Sequence, residues 1–550
     1  MKNSIKGRKF SRLTQAAAMT GLVALLATGC ATPQKYANHR EFYAKGLYKE
    51  SIADFEAEMV ERQEDAGKDE GGEQLPVVGS RAYALDDMEM GSGYRALVEL
   101  DSSNQSFERV EQAIREQQEE STAGNVARQI AAVLTSDNAL PYQIQEYDSV
   151  MVNTYKALNL LQQGETDKAR VEFKRVEERQ RMAAERFKEQ IAKAKEEEEN
   201  QKQLEEAKQA NPEEANAENA PAEEEGGIKA KIKRMIAEKY NEAKSIVMGS
   251  LQDETNKGKL AEYEKEFSAD TWGAQEAFIN PFASYMHGIF LYAFGEDKSD
   301  AESAVHYFEK ACRLEPDPAK NPAAKALALA TDEADGKLKK SDKNNTVFIV
   351  FENGLAPYRD EYMIPIIIPL NLKLNIDQKF IDASVVLPKL VARNEAFPYL
   401  SVCDNGAELS KTAVVCNMDA VVASEYRERM PAIVLRGVLR SGIQGVLQVL
   451  ITNELVKQGI PAFVASAAVS AVFNVAKSAD TRIWTSLPKN FQVAVVERPE
   501  SGYLQLMAPG ATEPLGTAKI PEGGPAIVFV HTPAADVPAT VSVVSAAPQK

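Results

Sequence analysis

The stretch that decides the fold is Asn153–Val176, NTYKALNLLQQGETDKARVEFKRV. Ala157 and Leu160 fall on one helical face, Gly164 interrupts the pattern, and Ala169, Phe173 and Val176 resume it. Apolar residues three and four apart share a face of a helix. Gly readily takes the left-handed backbone that ends one. The stretch therefore reads as two antiparallel helices that turn at Gly164. Small residues let the two axes approach closely, and Phe173 fills the groove between neighbouring pairs.

Three further places carry related spacing. Ser284–Pro316 places Gly288, Leu291, Gly295, Ala304, Phe308, Ala311 and Pro316 in corresponding positions, with a longer turn over Glu296–Ser303. A partial unit contains Gly46, Tyr48, Ile52 and Phe55, and a weaker one Gly91, Tyr94, Leu97, Ser106, Val110 and Ala113. This alternation of small and aromatic residues resembles the tetratricopeptide repeat. On that reading Ala157, Gly164, Ala169, Phe173, Gly288, Ala304, Phe308 and Pro316 are packing residues of the repeats. The competing reading is a set of unrelated helical hairpins.

Between the two clear units, Lys168–Ala210 reads as one long charged helix. Gln209–Ile228 then holds six Glu, two Pro and no basic residue, the composition of a self-repelling linker. Ile228 opens an amphipathic helix with Ile232, Met235, Ile236, Tyr240, Ala243, Ile246, Val247 and Leu251 on one face, expected to fold back on the charged helix. Residues 30–335 thus form an all-α domain of tetratricopeptide-like helix pairs with a charged insertion at 185–227.

After Lys343 the period changes. Val347–Phe351, Met363–Leu370, Ser384–Leu387, Phe491–Val496, Ala526–His531 and Thr540–Val544 read as strands, rich in Val and Ile and bounded by Pro, Gly and Asn. Pro431–Lys457 reads as a helix with Pro431 as its first residue. Residues 343–550 are therefore expected to form a second, α+β domain. Gln458–Ala476 carries no charge. Its small stripe Ala462, Ser466, Ser470 and Asn474 predicts a helix buried against the sheet, with lipid contact as the alternative.

The chain begins with Lys2, Lys6, Arg8, Lys9 and Arg12, followed by an apolar run over Ala16–Ala27. This is the pattern of a signal peptide over residues 1–29. Leu26-Ala27-Thr28-Gly29-Cys30 resembles the bacterial lipobox, which implies acyl chains on Cys30 and firm membrane attachment. Ala31, in place of Asp, implies sorting to the outer membrane. Loss of the basic leader takes the net charge from −17 to about −22. Such a chain is repelled by nucleic acid, so the expected partners are envelope proteins, together with the membrane reached through the acyl chains.

The chemistry-bearing residues are sparse. Cys403 and Cys416 flank the turn-rich Asp404-Asn405-Gly406, which makes a disulfide one possibility, and Cys312 reads as a buried free thiol. The four histidines, His39, His287, His306 and His531, have no ligand-rich surroundings and read as packing or surface residues. No metal site, cofactor or catalytic residue is expected, since metal-binding, phosphate-cradling and nucleophile-elbow motifs do not occur. Three polar clusters, Glu352-Asn353-Gly354, Glu425–Arg429 and Asp480–Trp484, read as structural ion pairs and turns.

At Cys30, Gly164, Ala169–Phe173, Asn280-Pro281-Phe282, Phe351–Gly354 with Ala356-Pro357, and Ala479–Arg482 with Trp484 and Leu487-Pro488, the chain resembles an uncharacterised family of Gram-negative outer-membrane lipoproteins. Its members have tetratricopeptide-like N-terminal halves. They are often encoded beside lipoproteins that activate penicillin-binding proteins. The resemblance implies a periplasm-facing scaffold of the cell envelope with an accessory role in peptidoglycan synthesis, not an enzyme. The alternatives are a hydrolase or transferase acting on envelope polymers, and a membrane-remodelling or secretion accessory using residues 458–476.

Overall fold

The computed structural model describes residues 35–66, 80–120, 141–186, 228–473 apart from 274, 314, 316 and 318, and 478–546. Cys30, Pro316, the leader and the acidic linker lie outside the described residues, as does the charged helix beyond residue 186.

The first half is a run of helical hairpins: α1 (Lys35–Ala44) with α2 (Tyr48–Ala66), α3 (Ala84–Ala96) with α4 (Leu100–Glu120), α5 (Glu146–Gln162) with α6 (166–186), and, further on, α10 (Pro281–Phe294) with α11 (Lys298–Cys312). The turns are made by local chemistry. Gly46 and Gly164 end their helices at φ +71° and +79°, where a Cβ would be strained. Asn280 caps α10 by accepting from the Ala283 N–H at 3.1 Å, and Pro281 occupies the first helical position. Asp297 caps α11 through the Asp300 N–H at 2.9 Å.

Two of these hairpins share one packing detail, and the third buries the residues at the corresponding places. Ala157 and Ala169 are fully buried with Phe173. A Cβ added to Gly288 would meet the Phe308 ring at 2.9 Å, and one added to Gly91 would meet the Phe107 ring at 2.6 Å. In the Gly91 and Gly288 hairpins the first helix carries a glycine against which an aromatic of the second helix is laid. At the Gly91 hairpin, whose spacing is the weakest in sequence, the aromatic is Phe107.

Besides a two-stranded sheet, the second half holds two larger ones. One has the order β11 (Thr540–Ser545), β10 (Ala526–Thr532), β1 (Thr346–Asn353), β7 (Asn490–Glu497), β6 (Ala413–Asn417); β1 and β10 run parallel and the other neighbours antiparallel. The other has the order β5 (Ala407–Lys411), β4 (Ser401–Asp404), β8 (Tyr503–Met507), β9 (Gly516–Lys519). Every residue of β1 is buried because both of its faces are covered. Val347, Ile349 and Phe351 pack with Val402, Leu504 and Leu506 of the four-stranded sheet. The alternate Phe348 and Val350 belong to the apolar core that the helices share.

That shared core runs from Ala84 to Val544, so the passage at residues 335–343 does not separate two cores. The first helices of the hairpins form the seam. Tyr292 of α10 stands edge-on to Phe348 with centroids 5.6 Å apart, and Phe282 stacks on Phe491 at 3.6 Å. Tyr155 of α5 meets Trp484 at 6.0 Å, and Ser92 of α3 accepts from the Trp484 indole at 3.0 Å. The face that the first helices of a free-standing repeat array would offer to a partner is thus filled by the protein's own sheet.

A third layer consists of the long hairpin β2 (Tyr358–Pro369) and β3 (Phe380–Val391), which packs on α14 (Met418–Lys457). Pro431 lies inside α14, not at its start; the helix begins at Met418, where the Asn417 side chain accepts from the Asp419 N–H. A proline removes one hydrogen bond and crowds the preceding turn. The buried flank of Tyr426, Met430, Val434 and Val438 holds the helix continuous across it. Alone among the described helices, α14 is long and apolar enough to cross a membrane, but more than half of its apolar window is buried.

The amphipathic helix, α7 (Ile228–Ser250), docks on α14, and the charged helix on which it was expected to fold lies outside the described residues beyond 186. Ile232, Ala243 and Val247 are fully buried, and a Cβ on Gly442 would strike Val247 at 2.7 Å. The following helix, α8 (Glu254–Lys265), clamps the edge of β2. There the Asn256 side chain donates to the Ile367 carbonyl at 2.8 Å and accepts from its N–H at 3.2 Å.

The uncharged segment forms α15 (Ala462–Val472) against α14 and α7, and its burial differs from the expectation. Only Ala465 and Val469 of the helix are buried, while Phe463 is 78% exposed. Ala462, Ser466 and Ser470 of the small stripe face solvent, and Asn474 lies outside the described residues.

Candidate functional site

Because β1 and β10 are parallel and in register at Glu352 and His531, both strands deliver a polar residue to the same end of the sheet. Alternation from Phe348 and Val350 turns Glu352 toward the helices, and Phe529 does the same for His531. Arg95, in the last turn of α3, completes the cluster. Its guanidinium lies 4.7 Å from the Tyr155 ring centroid and 5.9 Å from that of Phe529. It donates to Glu352 Oε1 at 2.7 Å and to Asn159 Oδ1 at 2.8 Å.

On the other carboxylate oxygen, the Tyr155 hydroxyl stands at 3.4 Å and His531 Nδ1 at 3.5 Å. Tyr43 reaches His531 Nε2 at 3.3 Å. Burial alone would raise the Glu352 carboxyl, but the charges and hydrogen bonds of Arg95 and His531 outweigh it and hold the group at about 2. The Tyr43 and Tyr155 phenols are pushed up, mainly by burial and additionally by nearby groups including this carboxylate. A cavity of about 30 Å³ adjoins the cluster, bordered also by Ser92, Gln162, Thr540 and Ser542. That is room for a water molecule or two.

The other polar clusters join distant backbone. Glu89 accepts from the Thr485 N–H at 2.6 Å and the Ser486 N–H at 3.1 Å. Glu425, ion-paired with Arg429 at 2.9 Å, accepts from the Glu146 and Tyr147 N–H groups at 2.8 and 2.9 Å. A carboxylate there satisfies the donors that a helix N-terminus leaves open and complements its dipole. Asp480 holds Arg482 at 2.8 Å. Asn353 accepts from the Ala396 and Phe397 N–H groups at 3.1 Å each, and Gly354 turns the chain at φ +65°.

The histidines divide. His287 is buried between Phe173 and Tyr307, with centroids 5.2 and 3.9 Å away, and burial together with neighbouring cations lowers it to about 3. His306 is exposed. His531 and His39 are not simple packing residues, since His39 bridges Asp54 and Glu58 at 2.6 and 3.0 Å. Among the described residues, no group of three or more His, Cys, Asp and Glu is placed to hold a metal ion.

Cys403 and Cys416 are free thiols and not a disulfide. They belong to different sheets. Cys403 pairs within the four-stranded sheet, while the Cys416 thiol lies 3.6 Å from Asn280 Oδ1 on the helical side of the five-stranded one. Packed sheets stand about 10 Å apart, beyond the reach of a disulfide. Burial pushes the Cys416 thiol up to about 12. Cys312 is free and half-buried, less enclosed than its apolar surroundings predict.

Of the sequence-predicted packing residues, Ala157, Ala169, Phe173, Ala304 and Phe308 are buried, and Gly164 and Gly288 sit at the turn and the close approach. Arg95, the pivot of the cluster, carried no sequence signal, because it stands 257 residues from Glu352. Comparison with protein-family models, with curated proteins and with solved structures gave no match.

Proposed function

We propose that the protein is a lipid-anchored scaffold of the cell envelope, tethered through Cys30 to the outer membrane and facing the periplasm. In this reading the hairpins are tetratricopeptide-like units, and an envelope protein docks on their outward helices, in a role accessory to peptidoglycan synthesis. The observation that supports it is the close contact of Gly91 with Phe107 and of Gly288 with Phe308, with Ala157 and Phe173 fully buried at the corresponding places. It makes a stacked array whose first helices are committed to the sheet. What remains open to a partner is the ridge of second helices.

On α6, residues 171, 175, 178, 182 and 185 face outward together, and Val171 and Met182 are 48% and 37% exposed among charged neighbours. Apolar residues inside a charged rim are the composition of a docking patch. The engagement of Glu352, Glu89 and Glu425 by arginine or backbone N–H groups favours a structural use of these carboxylates over hydrolysis. A photocrosslinking residue at Val171 or Met182 is expected to give adducts of discrete mass in the native envelope. Val171→Glu/Met182→Glu, with unchanged Tm, is expected to remove adducts formed by a probe at a neighbouring outward position. Adducts that survive this pair would sink the reading.

A further inference from the structure

One pole of the molecule combines exposed apolar residues with basic ones. Three elements meet there. The tip of the β2–β3 hairpin reaches the end of α14, where the Asn375 N–H donates to Asn453 Oδ1 at 2.6 Å. The start of α7 joins the same end through Lys231 and Gln458. There α14 turns at Gly459, φ +89°, into α15, so Phe463 and Val464 emerge beside that junction.

Phe463 is 78% exposed, Phe380 60%, and Leu372 and Val464 38% each. Around them stand exposed Lys231, Arg234, Lys373, Lys379 and Lys457. The opening of α7 reads Ile228-Lys-Ala-Lys-Ile-Lys-Arg234 without an acid. Asp377, Asp382, Glu238 and Glu454 are carboxylates close by; Glu238 is ion-paired with Arg234 and Glu454 with Lys457, each at 3.3 Å, which leaves Lys373 and Lys379 as the main basic contribution of the hairpin tip. This basic end belongs to a chain of net charge −17.

We infer that this pole docks on a bilayer surface containing anionic lipid. Phe463 and Val464 enter the boundary between headgroups and acyl chains, and the lysines meet lipid phosphates. The combination fits lipid because α15 offers an apolar surface without any charge of its own, while flexible lysines flank it. A helix lying in the interface gains from buried apolar area and from attraction to anionic headgroups together. The acidic remainder is repelled by the same surface, so the two ends orient the molecule. The inference does not depend on acylation at Cys30 or on a docked protein.

The test uses the full chain with Cys30→Ala, free of acyl groups, and two vesicle types: phosphatidylcholine mixed with phosphatidylglycerol, and phosphatidylcholine alone. Sedimentation is expected to show binding to the mixed vesicles that weakens as salt rises. Phe463→Ser, at an exposed position, is expected to lower the partition about tenfold. Lys373→Glu/Lys379→Glu is expected to abolish the preference for the anionic vesicles, and near-parental Tm values show that both variants are folded. Absence of binding to mixed vesicles overturns the inference, as does Phe463→Ser binding equal to the parent. Equal binding to both vesicle types overturns it too, as does a solution dimer that Phe463→Ser dissolves.

Discussion

Glu352→Gln keeps the side-chain volume and removes one charge from a buried pair, so its cost can be worked out in two ways. The first is structural. Arg95, 9% exposed, would remain between the Tyr155 and Phe529 rings with Asn159 as its remaining strong acceptor. Breaking a buried pair from one side costs about 3–5 kcal/mol. The second is linkage. The carboxyl falls from its ordinary 4.5 to about 2 in the fold, which corresponds to about 3 kcal/mol at neutral pH. A lowered carboxyl adds stability that is complete above 4.5 and is lost as pH falls toward about 2. Urea unfolding at pH 7 is therefore expected to place Glu352→Gln about 3 kcal/mol below the parent, with the gap shrinking as the pH drops below 4. Replacing both partners, as Glu352→Leu/Arg95→Leu, is expected to recover much of the loss. A deficit under about 1 kcal/mol at pH 7, or a gap that does not change with pH, would refute the reasoning.

Other outcomes follow from single sites. Gly91→Ala drives a methyl into Phe107 at 2.6 Å and is expected to cost about 1–3 kcal/mol in chemical denaturation, with relief when Phe107→Leu is added. Reductant is expected to leave Tm unchanged, and Cys403 and Cys416 are both expected to alkylate when the untreated protein is unfolded. Asp148 is raised to about 7 because burial outweighs its hydrogen bonds from Gln145 and Tyr142. A raised carboxyl weakens the fold as pH climbs from about 4 to 7, so Asp148→Asn is expected to show a smaller fall in Tm over that interval than the parent.

Local pattern made much of the architecture legible. The helix pair at Asn153–Val176 and the buried face of α7 could be read from spacing because each carries its burial in its own period, and the unbroken apolar run Val347–Phe351 marked a strand. The four-stranded sheet escaped notice: β4, β5, β8 and β9 are four or five residues long, too short for alternation to register. The start of α14 did have a signal, Asn417 as a cap, but Pro431 drew the boundary later. Exposure of α15 was hidden for a different reason, since an uncharged Ala-rich helix looks the same in sequence whether it is covered or bare. The candidate cluster was only partly visible: Glu352 reads in sequence as a structural ion-pair residue, but His531 reads as a packing or surface residue, and Arg95 and Tyr43 join them through tertiary contacts that no spacing records.

The seating of the hairpins' first helices against β1 also fixes an order of events during biosynthesis. β1 lies between β7 and β10, whose residues begin at Asn490 and Ala526, so its neighbours are made last. Until the C-terminal strands have emerged, α3, α5 and α10 have no sheet to rest on, and Trp484, Phe491 and Phe529 are missing from the seam. Closure over such long loops is slow, and the waiting helices expose the apolar surface that invites aggregation. The nascent chain should therefore need a holding chaperone for most of its length, and truncation even a few tens of residues short of the C-terminus should leave the helical half without its native packing.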